Sequence, residues 1–445
     1  MPEAISPARR AEVIDALRRG TVPSAGLDLF AVGMERFEHA IDEELDGVTA
    51  GRATFKAVRG EYGAGKTFFA RWLAEQAKRR GMATAEVQIS ETETPLHKLE
   101  TVYRRLVEQL STAAYPPSAL REVIDAWLYT LEEDVLAEGV IAPDDAKALA
   151  KAVDELLELR LAAVARTTPA FAAALRAYWK ATGDGDQATA QALLAWIGGQ
   201  PNVAAAARRA AGVKGDLDHF AALGFLQGLL TILRDSGHPG LLLVLDEIET
   251  LQRVRSDVRD KGLNALRQLA DDVDAGRFPG LYLLITGTPA FYDGPQGVAR
   301  LTPLAQRLAT DFGTDPRFDS PRAVQLRLTG FDLPKLTRLG GSIRDVYATG
   351  LGEAAAARIG TLVDDAYIAD LAAAVAGELG GHIGVAPRVF LRKLVADVLD
   401  RVAEFDDFDP RQHYKLTLSS TELTATERNA AAFRPNTADD VDLDL

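Results

Sequence analysis

The residues most able to do chemistry form one run: Gly60-Glu61-Tyr62-Gly63-Ala64-Gly65-Lys66-Thr67. This is a complete GxxxxGK[ST] phosphate-binding loop. Its glycines let backbone N–H groups close around phosphate oxygens, and the helix that begins at its end adds a favourable field. Lys66 is placed to reach the β- and γ-phosphates, and the Thr67 hydroxyl to ligate Mg²⁺. Phe68 follows directly and is counted with the nucleotide-binding residues. The loop needs a strand before it and a helix after it. Phe55–Arg59 reads as that strand and Phe68–Arg80 as that helix. A chance glycine-rich turn would not require either.

A second cluster is acidic. Asp246-Glu247 directly follows the apolar run Leu241–Leu245, the kind of strand buried in a parallel sheet. In nucleotide hydrolases an acid at such a strand end binds Mg²⁺ through water, and a neighbouring glutamate can polarise the attacking water. Asp246 is therefore the expected metal residue and Glu247 the expected general base. The competing reading is a helix N-cap with an acid in the first turn. Glu249, close by, reads as solvated. Thr286-Gly287-Thr288-Pro289 ends the next apolar run, Leu281–Ile285. A hydroxyl there could hold the attacking water or touch the γ-phosphate, with Thr286 ranked before Thr288. The alternative is a plain turn. Farther on, Arg300 and Arg307 are candidates to stabilise transition-state charge in a neighbouring subunit, or are ordinary surface arginines. Gly384-Val385-Ala386-Pro387-Arg388 opens a helix, from which Arg388 would face the nucleotide, the alternative being an ordinary first-turn arginine.

The elements that must position these residues follow from periodicity. Residues 7–20 read as an amphipathic helix, and Phe37–Leu45 as a second. Ala83–Ile89 alternates as a strand, and residues 97–112 carry helical spacing. From about 116 to 235 no convincing strand occurs, which predicts an all-helical insertion in an α/β core. Its aromatics, Trp127, Tyr129, Phe171, Tyr178, Trp179 and Trp196, read as core, with nucleic-acid stacking the alternative that sparse basic interleaving disfavours. Gly262–Ala275 is expected to be helical, and Val324–Leu328 to be the last strand. Residues 333–400 read as helices broken at Gly340-Gly341 and Gly380-Gly381. No internal repeat is visible. The expected domains are an N-terminal helical segment (1–50), an α/β core (51–330), a helical lid (331–402) and an acidic tail, partly disordered (403–445).

Composition narrows the classes. The chain has 445 residues, of which 47% are hydrophobic and 26% charged, the range of globular proteins. It has no cysteine, which excludes disulfides, thiolate zinc sites and cysteine nucleophiles. The six histidines are scattered, so a catalytic zinc site is not expected. At a formal net charge of −14, DNA would be held by a local patch or by a partner, not by the whole surface. Lys335, Arg338, Arg344, Arg388, Arg392 and Lys393 are the residues from which such a patch could form. The N-terminus lacks the apolar core of a signal peptide, and the most apolar run is too short to span a bilayer. A cytoplasmic location is expected.

Together these residues resemble the AAA+ ATPases, in the branch near origin-recognition and initiator-loading proteins and signalling NTPases. That branch carries a Val-Gly-Arg-Glu-like box against the base. Here it is Val32-Gly33-Met34-Glu35-Arg36, departing at Met34, with Val32 and Gly33 as the implied base contacts. The lid arginine of that branch corresponds to Arg388. More narrowly, Arg59–Phe68, Pro95–Tyr103, Pro387–Val395 and Asp407–Tyr414 look like the BREX-type ATP-binding proteins (BrxD-like). The resemblance implies a parallel α/β core with a helical lid, ATP and Mg²⁺ as ligands, and slow hydrolysis as an oligomer or against a partner. It also implies a phage-defence cluster with a helicase and a DNA methyltransferase. From the net charge, weak, salt-sensitive binding of double-stranded DNA by the protein alone is expected. Two other readings stay open. One is a nucleotide-dependent scaffold or signalling NTPase with little turnover. The weaker one is a kinase, disfavoured because no acceptor-site motif is visible.

Overall fold

Short apolar runs rich in Leu and Val become strands, and Ala-rich amphipathic stretches become helices. The computed structural model describes residues 6–139, 145–379 and 387–418, together with Leu423 and Arg428. Among the described residues there are five strands: β1 (Thr54–Arg59), β2 (Ala83–Gln88), β3 (Leu241–Asp246), β4 (Leu281–Gly287) and β5 (Gln325–Arg327). They form one sheet in the order β2-β3-β4-β1-β5. β2 pairs with β3 in parallel, with Ala83 opposite Leu241 and Gln88 opposite Asp246. β3 pairs with β4 in parallel, with Leu245 opposite Ile285. Every residue of β3 and β4 is buried, so these strands show unbroken hydrophobicity rather than alternation.

Helices fill the rest. They are α1 (Pro7–Arg18), α2 (Glu35–Thr49), α3 (Lys66–Arg79) and α4 (Leu99–Gln109), then α5 (Leu120–Ala137), α6 (Ala146–Thr167), α7 (Pro169–Gly183), α8 (Gln187–Ile197), α9 (Ala205–Ala210) and α10 (His219–Asp235). Beyond β3 come α11 (Ser256–Asp274), α12 (Pro289–Asp293) and α13 (Thr302–Arg307). After β5 come α14 (Leu333–Ala348), α15 (Glu353–Leu362), α16 (Asp365–Glu378), α17 (Pro387–Arg392), α18 (Asp400–Glu404) and α19 (Pro410–His413). A π-helical stretch, Lys393–Leu399, joins α17 to α18. No described helix is long and apolar enough to cross a membrane.

The chain divides into two compact units. One comprises residues 40–57 and 76–310. Between 120 and 235 its described residues form helices joined by loops and hold no strand, as the periodicity predicts. Phe225 on α10 is the centre of this packing. Phe171, Trp196 and Tyr103 meet its ring at 5.1, 5.4 and 5.7 Å, mostly edge to face, the favoured geometry for aromatic pairs. A Cβ on Gly228 would lie 2.6 Å from the Phe171 ring, so this glycine is what lets α7 and α10 touch. Two of the predicted core aromatics differ. Tyr129 is 60% exposed, and Trp179 is half-buried with its indole donating to Asp154 at 2.9 Å. Both lie on the outward side of helices whose inward stripe is already filled.

The other unit comprises residues 1–39, 58–75 and 311–445. Here the structure corrects a predicted break. Helix α14 runs straight through Gly340-Gly341. A Cβ on Gly340 would stand 2.6 Å from Ile368 and 2.7 Å from Phe390. The glycine serves close helix packing, not helix termination. The predicted break at Gly380-Gly381 lies outside the described residues. The helix ends instead before Gly350 and Gly352, and Asp364 starts α16 by accepting from the Tyr367 amide at 2.8 Å. The Asp407–Tyr414 motif is a fastening. Arg358 donates to the carbonyls of Val402, Phe405, Asp406 and Phe408. Arg411 donates to Leu362 O at 2.8 Å and to Asp364 at 2.6 Å.

Candidate functional site

The phosphate loop is built from backbone. Gly63 and Gly65 have φ of 79° and 91°, a region that side chains other than glycine enter only at a cost. α3 begins at Lys66, so the loop's end is a helix N-terminus. The Lys66 ammonium donates to Gly60 O at 2.9 Å and Glu61 O at 3.3 Å, and sits 5.2 Å from the Tyr62 ring centre. Gly60 fits tightly, since a Cβ there would meet Ala64 at 3.0 Å and Leu328 at 3.3 Å. The Leu328 amide in turn donates to Arg59 O at 2.8 Å.

The Val32–Arg36 box is brought against the same helix. Phe30 packs on Phe68 with ring centres 5.3 Å apart, and Phe37 on Phe69 at 5.5 Å. Val32 and Gly33 therefore lie on a segment pinned at both ends to the residues directly after Thr67. Gly33, with φ of 88°, donates its amide to Glu35 at 2.8 Å. Arg36 does not face outward as a free cation. Its guanidinium donates to the carbonyls of Pro316 and Arg327, and burial pushes its pKa down.

The acidic strand end is built from side chains. Asp246 is the last residue of β3 and only 5% exposed. The Thr286 hydroxyl, fully buried, donates to Asp246 Oδ1. The Glu247 amide also donates to Asp246 Oδ1, at 3.1 Å, and lies 3.4 Å from Thr286 Oγ1. Glu247 itself is exposed and left-handed, with φ 58° and ψ 42°. A non-glycine residue there costs about 1–2 kcal/mol, and such strain gathers where function holds it. The Gln88 side-chain amide donates to Glu247 Oε2 at 2.9 Å. This contact follows from the parallel register that sets Gln88 opposite Asp246.

The structure thus brings Asp246, Glu247 and Thr286 together and adds Gln88, which the sequence did not single out. Gln88 ends a strand that also carries Thr84 and Glu86, so nothing in the sequence marked it. Thr286 and Gly287 belong to β4 rather than to a turn, and the Thr286 hydroxyl is spent on Asp246. Thr288 is buried at the start of α12 without capping it. Glu249 is buried, not solvated, because the short helical turn Ile248–Gln252 points it inward. Arg300 is held by Asp260 at 2.5 Å and by Ser256 at 2.8 Å, and this partner lowers the Asp260 pKa. Arg307 pairs with Asp271 and Asp274. Arg388 runs beside the end of α1, where a Cβ on Gly20 would lie 3.4 Å from its guanidinium. Gly384, Val385 and Ala386 lie outside the described residues.

Of the residues named for a basic patch, the structure removes Lys393. Lys393 is buried and paired with Asp397 at 3.1 Å, so it cannot reach a polyanion. Arg338 pairs with Glu35, Arg344 with Asp345 and Asp365, and Lys335 with Asp332. Among the described residues no group of three or more His, Cys, Asp or Glu could hold a metal ion. Magnesium does not need one. It commonly uses one or two protein oxygens with waters and substrate phosphates. The buried carboxylate of Asp246 is a hard oxygen donor of the kind magnesium takes, and so, taken by itself, is the Thr67 hydroxyl.

A family profile described as "BREX system ATP-binding protein BrxC/D" matches residues 5–418. The chain belongs to this family. The match spans the phosphate loop, the acidic strand end and the Asp407–Tyr414 fastening. No curated protein matched the chain. Membership of the BREX ATP-binding proteins agrees with the mixed α/β fold and with a nucleotide as ligand.

Proposed function

We propose that this BREX protein is an AAA+ ATPase that binds ATP·Mg²⁺ and hydrolyses it slowly, as a loader or switch in a defence complex that works on DNA. Lys66 would hold the β- and γ-phosphates, and the glycine loop would supply amides. Thr67 and Asp246 would hold Mg²⁺, and Glu247 would polarise the attacking water. The strand order β2-β3-β4-β1-β5 and the helical segment after β5 support the AAA+ assignment. The observation that carries hydrolysis is the pairing of a buried Asp246, fixed by Thr286, with an exposed, left-handed Glu247. A plain helix cap would not require a second strand to fix the first acid. With its basic side chains largely paired, the protein would rely on a helicase or another defence protein for DNA. Arg300 or Arg307 would serve a neighbouring subunit only after leaving its carboxylate partners.

One observation favours a second reading. Gln88 already occupies the Glu247 carboxylate, which suits a nucleotide-dependent scaffold with little turnover. Measuring ATP turnover with and without double-stranded DNA, beside particle mass with and without ATP, separates the two. Turnover that rises with DNA supports the loader. Assembly on ATP with no turnover under any condition contradicts it.

A further inference from the structure

Arg259, on α11, is a buried arginine outside every motif above. A guanidinium stays protonated and carries five donors, so burying one costs heavily unless they are used. Nε donates to Leu251 O at 3.1 Å. One terminal nitrogen donates to Gln252 O at 3.0 Å and Val254 O at 2.8 Å, and the other to the Gln296 side-chain carbonyl. The carbonyls of Leu251 and Gln252 end the turn Ile248–Gln252, which starts at Glu247, and that of Val254 lies just beyond it. Gln296 lies just past α12, the helix that follows β4 and Thr286. One side chain thus ties the segment leaving Glu247 to the segment leaving Thr286. Gln252 adds a second tie by donating to Ala290 O at 2.9 Å. The fit is close, since a Cβ on Gly262 would lie 2.6 Å from Leu251.

We infer that Arg259 is a positioning residue for hydrolysis: its clamp on residues 251–254 and on Gln296 holds Glu247 in its left-handed turn. The inference rests on Glu247 being the general base. A residue in a sparsely populated conformation persists only when its surroundings over-determine it. Upstream, Glu247 is fixed by Asp246 and Thr286. Downstream, the Thr250 amide bonds Glu247 O at 3.1 Å and the Arg253 amide bonds Thr250 O at 3.0 Å. Arg259 anchors the far end of this short ladder. None of its four side-chain bonds goes elsewhere.

The test uses the full chain with Arg259→Ala, Arg259→Lys, Gln296→Ala and Glu247→Gln, measuring kcat, ATP affinity and amide hydrogen exchange. Arg259→Ala should lower kcat on the order of 10- to 100-fold, as small misplacements do, with ATP affinity unchanged. Exchange across 247–253 should speed up while that of β3 stays slow. Gln296→Ala, which leaves the charge in place, should shift both readouts in the same direction by less, and Arg259→Lys should recover only part of the loss, lacking the fork. In a Glu247→Gln background, Arg259→Ala should cause no further loss of kcat. If Arg259→Ala does not fold, Gln296→Ala and Arg259→Lys decide. A dead Glu247→Gln beside wild-type kcat and exchange in the clamp variants overturns this inference alone. Equal losses of ATP affinity and kcat also overturn it, since they mark a merely structural role. A fully active Glu247→Gln overturns it together with the general-base reading.

Discussion

The phosphate loop and the acidic strand end reach order by opposite routes. The loop is local, with Gly63 and Gly65 in positive φ, a helix starting at Lys66, and an ammonium held by carbonyls of its own loop. The strand end is distributed. Asp246 ends β3 and Glu247 directly follows it, Thr286 comes from β4, Gln88 from β2, and the clamp beyond Glu247 from α11. A local device leaves a contiguous signature in sequence. A distributed one leaves single residues whose meaning depends on strand register. The loop should therefore fail all at once when its cation is removed, whereas the strand end should fail in graded steps.

The largest effect is expected at the loop. Lys66→Ala should abolish ATP binding, because the side-chain charge that offsets the β- and γ-phosphates is lost. Titration with a fluorescent ATP analogue checks this, and wild-type affinity would remove the loop from the account. Next comes Thr286→Val, which strips the buried Asp246 of its hydroxyl donor. Loss of a hydrogen bond to a charged group is worth about 1.5–3 kcal/mol, so a lower Tm and a higher Mg²⁺ requirement for turnover should appear together.

What was legible in the sequence follows the same division. β1 and α3 appear within one or two residues of their expected bounds, because the loop's requirements fix both. The helical stretch before β3 was readable from the absence of any strand pattern. Gly340-Gly341 misled because a glycine that allows close packing looks the same as one that ends a helix. Glu249 misled because its burial depends on a short helical turn that starts from a left-handed Glu247. Gln88 and Arg259 were invisible, since their partners lie far away in sequence and only the fold brings them near.

Smaller effects sharpen the contrast. Gln88→Ala should raise turnover, by up to about tenfold, with unchanged ATP affinity, because it frees the Glu247 carboxylate from a charge-assisted bond. A fall in steady-state turnover would instead make Gln88 a support for Glu247. The smallest change in stability is expected for Arg307→Ala. Exposed ion pairs of this type are worth about 0.2–1 kcal/mol each, so Tm should drop slightly. Its turnover should fall without loss of ATP binding if Arg307 serves a neighbouring subunit. Mixing it with Lys66→Ala protein should then restore some activity, and no recovery would direct attention to Arg300.

Glu247→Gln tests the central claim most directly. An amide keeps the size of the side chain but cannot polarise water. ATP affinity and single-turnover hydrolysis should be measured on the same preparation. The account predicts wild-type affinity with hydrolysis reduced on the order of 10²-fold or more. Hydrolysis at the wild-type rate would contradict it and leave Glu247 as no more than the first residue of a turn.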